Sequence, residues 1–257
     1  MQDKALSGKV TVVTGAASGI GLAIAERFAA DGAQLVIADI QAGAGNVAAE
    51  RLSGCFVECD LSQPADCRAL MDHVTETFGT VHILVNNAGY QHVASIGSFP
   101  DGMWNDMLAL MLTAPFLLTK YAWSAMTAQR WGRVINIASI HGLVASPFKC
   151  AYVSAKHGLI GLTRTAALEG GQYGITVNAI CPAYVRTPLV EAQIADQART
   201  RGIARETVIE TVMLEPAAIK RLIEPTEVAD LARYLCSDAA SVITGAAWTI
   251  DLGWTSR

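Results

Sequence analysis

The chain has 257 residues, of which 52% are hydrophobic and 16% charged, with a net charge of −4. That length fits one large α/β domain or two small ones and is long enough to bury most of its apolar surface. The acidic balance leaves no basic footprint for nucleic acid, and the low charged fraction points to apolar surface buried between subunits.

Short apolar runs alternate with longer helical patterns. A strand is predicted over 10–13, then a glycine-rich turn, TGAASGIG at 14–21, leading into a helix over 19–30 with Ile20, Ile24 and Phe28 on one face. A strand over 35–38 ends at Asp39 and precedes a helix over 44–52. A strand over 55–58 leads through Asp60 to a helix over 64–78, with Asp60 a candidate N-cap ahead of Pro64. A strand over 83–85 opens into Asn86-Asn87-Ala88-Gly89, and a long helix is predicted over 102–130. A strand over 134–137 runs to Ser139, followed by a helix over 152–172. The last pieces are a strand over 176–180 ending in Cys181-Pro182, a helix over 226–237 and a strand over 247–250.

Continuous apolar strands that alternate with helices predict one doubly wound parallel α/β domain over 1–257. The segment 187–225, with prolines at 188, 216 and 225 and a charged middle at 196–215, reads as a lid inserted before the last strand. The apolar run 107–119 is too short for the roughly 20 residues of a membrane span. The polar start MQDKALSGKV is unlike a signal peptide. The six cysteines form no metal-type pairs, so they are expected to be reduced in a cytoplasmic protein with no bound metal.

Nearly all chemistry-bearing residues follow strand ends, on the edge where open α/β sheets bind ligands. The glycine turn ahead of an amphipathic helix suits a pyrophosphate. Asp39 suits both ribose hydroxyls of an adenosine and would repel a 2′-phosphate. With no lysine or arginine in the turn or just after Asp39, the expected cofactor is NAD rather than NADP. Asp60 is expected to flank the adenine. Tyr152 and Lys156 lie four residues apart and share a helix face. His141 and Lys149 sit among these groups, which points to proton transfer on a small anionic substrate.

With TGAASGIG at 14–21, NNAG at 86–89, Ser139 and Tyr152-x-x-x-Lys156 assembled, the whole chain resembles the short-chain dehydrogenase/reductase family. The resemblance implies a seven-stranded Rossmann-type sheet, usually in a homotetramer, with Ser139, Tyr152 and Lys156 catalytic. It implies cofactor contacts from Gly15, Ser18, Gly19, Ile20, Gly21, Asp39, Asp60, Leu61, Asn87, Ala88, Gly89, Tyr152, Lys156, Pro182, Val185 and Thr187. The segments NNAGYQHVASI, INIASIHGLVAS and ITVNAICPAYVRTPLVEAQI look most like the branch of the family that oxidises D-3-hydroxybutyrate. That likeness assigns the substrate's carboxylate to Gln91, His141, Lys149 and Gln193, with Ser139 and Tyr152 on its hydroxyl and Tyr184 and Trp254 lining the pocket.

Ionising a phenol near pH 7.5 needs roughly 3–4 kcal/mol. One ammonium about 4 Å away, at an effective dielectric near 20, supplies about 4 kcal/mol. Lys156 is therefore expected to be about sufficient, helped by the positive nicotinamide. Three positions depart from the family pattern. Met111 replaces the fourth catalytic residue, an asparagine, whose backbone carbonyl holds a proton-relay water. Pro115 has no N–H for the carbonyl of Met111, which leaves two readings: it frees that carbonyl by another route and keeps the relay water, or Met111 is a packing residue and the relay is weakened. Ala183 and Leu252 replace glycines.

Overall fold

A computed structural model describes residues 4–256, without the side chains of Leu189, Asp196, Gln197 and Thr200. The extreme start of the chain and part of the expected charged lid segment thus lie outside the described residues. Among those described, seven strands form one parallel sheet: β1 (Val10–Thr14), β2 (Gln34–Asp39), β3 (Cys55–Glu58), β4 (Ile83–Asn86), β5 (Gly132–Ile137), β6 (Ile175–Pro182) and β7 (Ala247–Ile250). Their order is β3-β2-β1-β4-β5-β6-β7. The strand order reverses between β1 and β4, which opens a crevice at their carboxyl ends.

The pleat divides the sheet's side chains between two cores. Val12 pairs with Val36 and Leu84, Leu84 with Val134 and Val134 with Val177, and this row is buried against α3 (Pro64–Phe78), α5 (Ala114–Ala128) and the end of α6 (Cys150–Gly170). The next row, Val13, Ile37, Val85 and Ile135, is buried against α1 (Gly19–Ala30) and α9 (Pro225–Cys236). With apolar layers on both faces, β-branched runs rather than alternating patterns are what the strands need. Helix α2 (Ala42–Leu52) completes the layer beside β2 and β3.

Two local expectations are corrected. The helix expected over 102–130 is interrupted: α4 (Asp101–Leu108) passes into a π turn (Ala109–Thr113) before α5. The Ala114 N–H reaches back to the Ala109 carbonyl, one residue beyond α spacing. Pro115 follows directly and has no N–H for Met111. Asp60 does not cap α3, whose N-cap is Gln63. Asp60 instead closes a turn, accepting from the Ser62 N–H at 3.0 Å and its hydroxyl at 2.7 Å. Leu252 stands at φ +60°, the left-handed backbone that explains why the family prefers glycine there.

The insertion folds as α7 (Pro188–Arg201), α8 (Arg205–Val208) and a second π turn (Ile209–Met213). It has its own apolar cluster, including Ile194, Val208, Met213, Leu214 and Leu222. Its two ends are tied together: the Arg186 N–H donates to Ile223 at 2.8 Å and the Ile223 N–H to Tyr184 at 3.0 Å. The Leu252 carbonyl accepts from the Ala218 and Ile219 N–H groups, holding the insertion to the end of the chain.

Candidate active site

A continuous cleft of about 610 Å³ runs along the carboxyl edge of the sheet, from Asp39 and Asp60 at one end to Lys149 and Gln193 at the other. Every residue expected at the site lines it except Gly21 and Trp254. Gly21 lies beneath the turn, where a Cβ would stand 2.3 Å from the Gly15 carbonyl oxygen. Its role is to let strand and helix pack, not to face the cleft. Trp254 stands behind the wall of the site, its ring 6.3 Å from that of His141 and packed on the insertion's apolar cluster.

The glycine turn is held by its neighbours. The Thr14 hydroxyl donates to Val85 and accepts from the Asn87 and Ala88 N–H groups, at 2.9 and 3.1 Å. The Asn87 amide donates to the Thr14 and Gly15 carbonyls. Ser18 is the N-cap of α1 and its side chain makes no capping bond, so the helix presents its first N–H groups toward the cleft. Asp39 is buried, one carboxylate oxygen taking the Ala17 N–H at 2.9 Å and the other the Gln41 N–H at 3.0 Å. Ile40, exposed beside it, supplies an apolar wall. An uncapped helix N-terminus, a glycine turn and a carboxylate at the end of β2 are a donor and acceptor set that fits a dinucleotide.

At the other end, Ser139 caps a short turn, Ile140–Gly142, and its oxygen accepts the His141 N–H at 3.1 Å. Tyr152 and Lys156 share the inner face of α6. The Lys156 ammonium donates to the Ile137 carbonyl at 2.7 Å and lies 5.6 Å from the centre of the Tyr152 ring. Burial pulls the Lys156 pKa down to about 8. Burial pushes the Tyr152 phenol up, Tyr184 and Cys181 add to the rise, and a hydrogen bond with Ser139 opposes it. Burial thus opposes the phenolate, which is the cost that Lys156 and the positive nicotinamide together were expected to offset.

Lys149 lies 5.9 Å from the centre of the Tyr184 ring, and burial lowers its pKa. Gln91, Gln193 and Tyr184 line the same end of the cleft. The buried His141 ring is held neutral: desolvation first, then Lys149 and His157, take its pKa down to about 4. Its Nε2 lies 2.8 Å from the Ser146 hydroxyl and its Nδ1 3.5 Å from that of Ser139. Beneath the site, Asn86 donates to Asn136 at 2.8 Å and Asn136 to the Thr163 hydroxyl at 2.8 Å, pinning β4 and β5 to the helix that carries Lys156. Sequence reading missed this ladder and Ser146. The asparagines inside otherwise apolar strands were the available signal.

This fold and this site define an oxidoreductase of the short-chain dehydrogenase/reductase family. The chain belongs to it: the family model described as enoyl-(acyl carrier protein) reductase matches residues 15–255. A D-beta-hydroxybutyrate dehydrogenase of Rhizobium meliloti (strain 1021) is 48% identical, the match covering 97% of this chain and 99% of the relative. One of Cupriavidus necator is 42% identical, covering 98% and 100%. An uncharacterized oxidoreductase of Bacillus subtilis (strain 168) is also 42% identical, covering 97% and 99%.

Proposed function

We propose that the protein oxidises D-3-hydroxybutyrate to acetoacetate, reversibly, with NAD as hydride acceptor. The observation that carries this reading is Lys149: a half-buried ammonium without a carboxylate partner among the described residues, facing the cleft three residues before Tyr152. A general ketone or alcohol substrate has no use for that charge, whereas a short hydroxy acid neutralises it. The named activity of two relatives at 42–48% identity supports the same reading.

In this reading Tyr152 takes the proton of the C3 hydroxyl, Ser139 orients that oxygen, and Lys156 holds the cofactor's ribose and offsets the phenolate charge. Gln91, Lys149 and Gln193 hold the carboxylate, with His141 and Tyr184 beside them. The nicotinamide, when bound, accepts the hydride and brings a positive charge close to Tyr152. Asp39 takes the adenosine ribose hydroxyls, and its charge favours NAD over NADP. Gly15, Ser18, Gly19 and Ile20 hold the pyrophosphate. The Met111 carbonyl, at the π turn, takes the relay position that asparagine has elsewhere in the family. The protein works in the cytoplasm as a homotetramer.

The test is a direct assay of the purified protein with D-3-hydroxybutyrate and NAD, read by NADH absorbance and repeated with NADP. NADH formation at micromolar-to-millimolar substrate supports the assignment, and no turnover overturns it. Tyr184 lines the substrate end and favours one second reading, a somewhat larger hydroxy acid. One added methylene changes discrimination by only about 1–3 kcal/mol. A panel of 3-hydroxy acids separates the two, and equal rates on uncharged alcohols defeat both.

A further inference from the structure

Among the described residues, four other than glycine have a positive φ: Ser53, Arg130, Phe148 and Leu252. Ser53 and Arg130 come just after α2 and α5, where a left-handed residue is an ordinary way to stop a helix. The Leu252 carbonyl is held by the Ala218 and Ile219 N–H groups. Phe148, at φ +67°, ends no helix. It follows Pro147 in a turn. A proline followed by a residue at positive φ is the pattern of a type II turn, whose second central place normally goes to glycine or asparagine. Phe148 is 57% exposed, so burial of the ring does not explain a bulky residue kept in this conformation.

The next residue breaks a second local rule. Lys149 is the N-cap of α6, a position that favours small polar or acidic side chains, and a lysine there brings a cation to the positive end of the helix. Its side chain makes no capping bond and lines the cleft instead. Rules broken at two adjacent positions mark a backbone that serves a site rather than its own stability. The Phe148 carbonyl accepts the Ala94 N–H at 3.0 Å, which joins the loop that carries Gln91 to the loop that carries Lys149. Both of those side chains line the substrate end of the cleft. We propose that Phe148 is a positioning residue: its left-handed backbone turns Lys149 into the cleft and, through the bond to Ala94, fixes the spacing of Lys149 and Gln91 on the substrate's carboxylate. The proposal rests on the dehydrogenase reading above and names what presets its acid-binding end. The conformation matters, not the ring.

The experiment compares Phe148→Asn, which removes the ring and accepts a left-handed backbone, with Phe148→Val, whose β-branched side chain resists it. A third variant, Ala94→Pro, deletes the N–H that Phe148 accepts. Each is assayed with D-3-hydroxybutyrate and NAD. The Kd for butyrate, a carboxylate with no hydroxyl to oxidise, is measured by fluorescence titration of the NADH complex. Phe148→Asn is expected to keep the native KM and butyrate Kd. Phe148→Val and Ala94→Pro are expected to raise both roughly 10- to 100-fold, as loss of a charge-assisted hydrogen bond does. Their kcat stays within about twofold of native, the mark of lost binding rather than lost chemistry. Unchanged NAD affinity shows that the variants are folded. Equal rises in Phe148→Asn and Phe148→Val assign the effect to the ring and overturn the proposal. An unchanged KM in Phe148→Val or Ala94→Pro, a fall confined to kcat, or native protein that binds no butyrate overturns it too. If butyrate binds but D-3-hydroxybutyrate is not oxidised, the function reading fails alone, and the butyrate affinities of the variants still decide the role of Phe148.

Discussion

Tyr152 and Lys156 share one helical face, yet burial acts on them in opposite directions, raising the phenol and lowering the ammonium to about 8. Burial thus disfavours the phenolate, and the positive charge of a bound nicotinamide is expected to favour it. Tyr152→Phe keeps the ring's packing and removes the group proposed to take the proton. Turnover is expected to fall by roughly 10²–10⁴-fold or more, with NAD affinity by fluorescence titration unchanged; retained turnover would reassign the base. His141 gives a second prediction through stability. Its folded pKa, about 4, lies below the ordinary 6.5, so between these values the unfolded chain binds a proton that the folded one does not. Stability contributed by the neutral ring is full above pH 6.5 and is lost as pH falls toward 4, by about 3 kcal/mol. Lys149 and His157, the charged or titratable groups acting on the ring, push the same way. His141→Gln is expected to flatten that part of the urea-unfolding profile; an unchanged slope would show that the ring is protonated while folded.

Among the elements, the π turn at Ala109–Thr113 shows what periodicity reads and what it misses. The apolar pattern of 102–130 is helical throughout, because a π turn shifts the register without changing the kind of residue buried. Pro115 alone marked the break, through the N–H it lacks. Restoring that N–H gives the Met111 carbonyl an ordinary helical partner. Pro115→Ala is therefore expected to raise the melting temperature and to lower kcat on the order of tenfold, since the carbonyl would be withdrawn from the proposed relay. A gain in stability with no change in kcat would remove Met111 from the mechanism. The same contrast holds for the rest of the cleft. Strand ends, the glycine turn and the Ser139, Tyr152, Lys156 set were legible because position along the chain fixes them. The facing of Trp254, the turn at Asp60 and the Ser146 contact were not, because they depend on where loops from distant elements meet.

At the scale of the whole molecule, composition and surface argue for an assembly. A charged fraction of 16% is well below the ordinary value of about 25% for soluble domains. Single exposed apolar residues are normal, but here Phe116 on α5 and Leu168 on α6, the latter 86% exposed, lie on helices covering the same face of the sheet. A stable contact between subunits buries about 800 Å² on each partner, an area two adjacent helix faces can supply. The expected state is a closed four-chain assembly of this 27.2 kDa chain, detected by sedimentation equilibrium. Placing a charge on each helix, Phe116→Glu with Leu168→Glu, puts like charges into a face repeated by symmetry. Dissociation to smaller species is the expected outcome, with the monomer's circular dichroism retained. An assembly of unchanged mass would move the interface to another surface, and a native monomer would remove it.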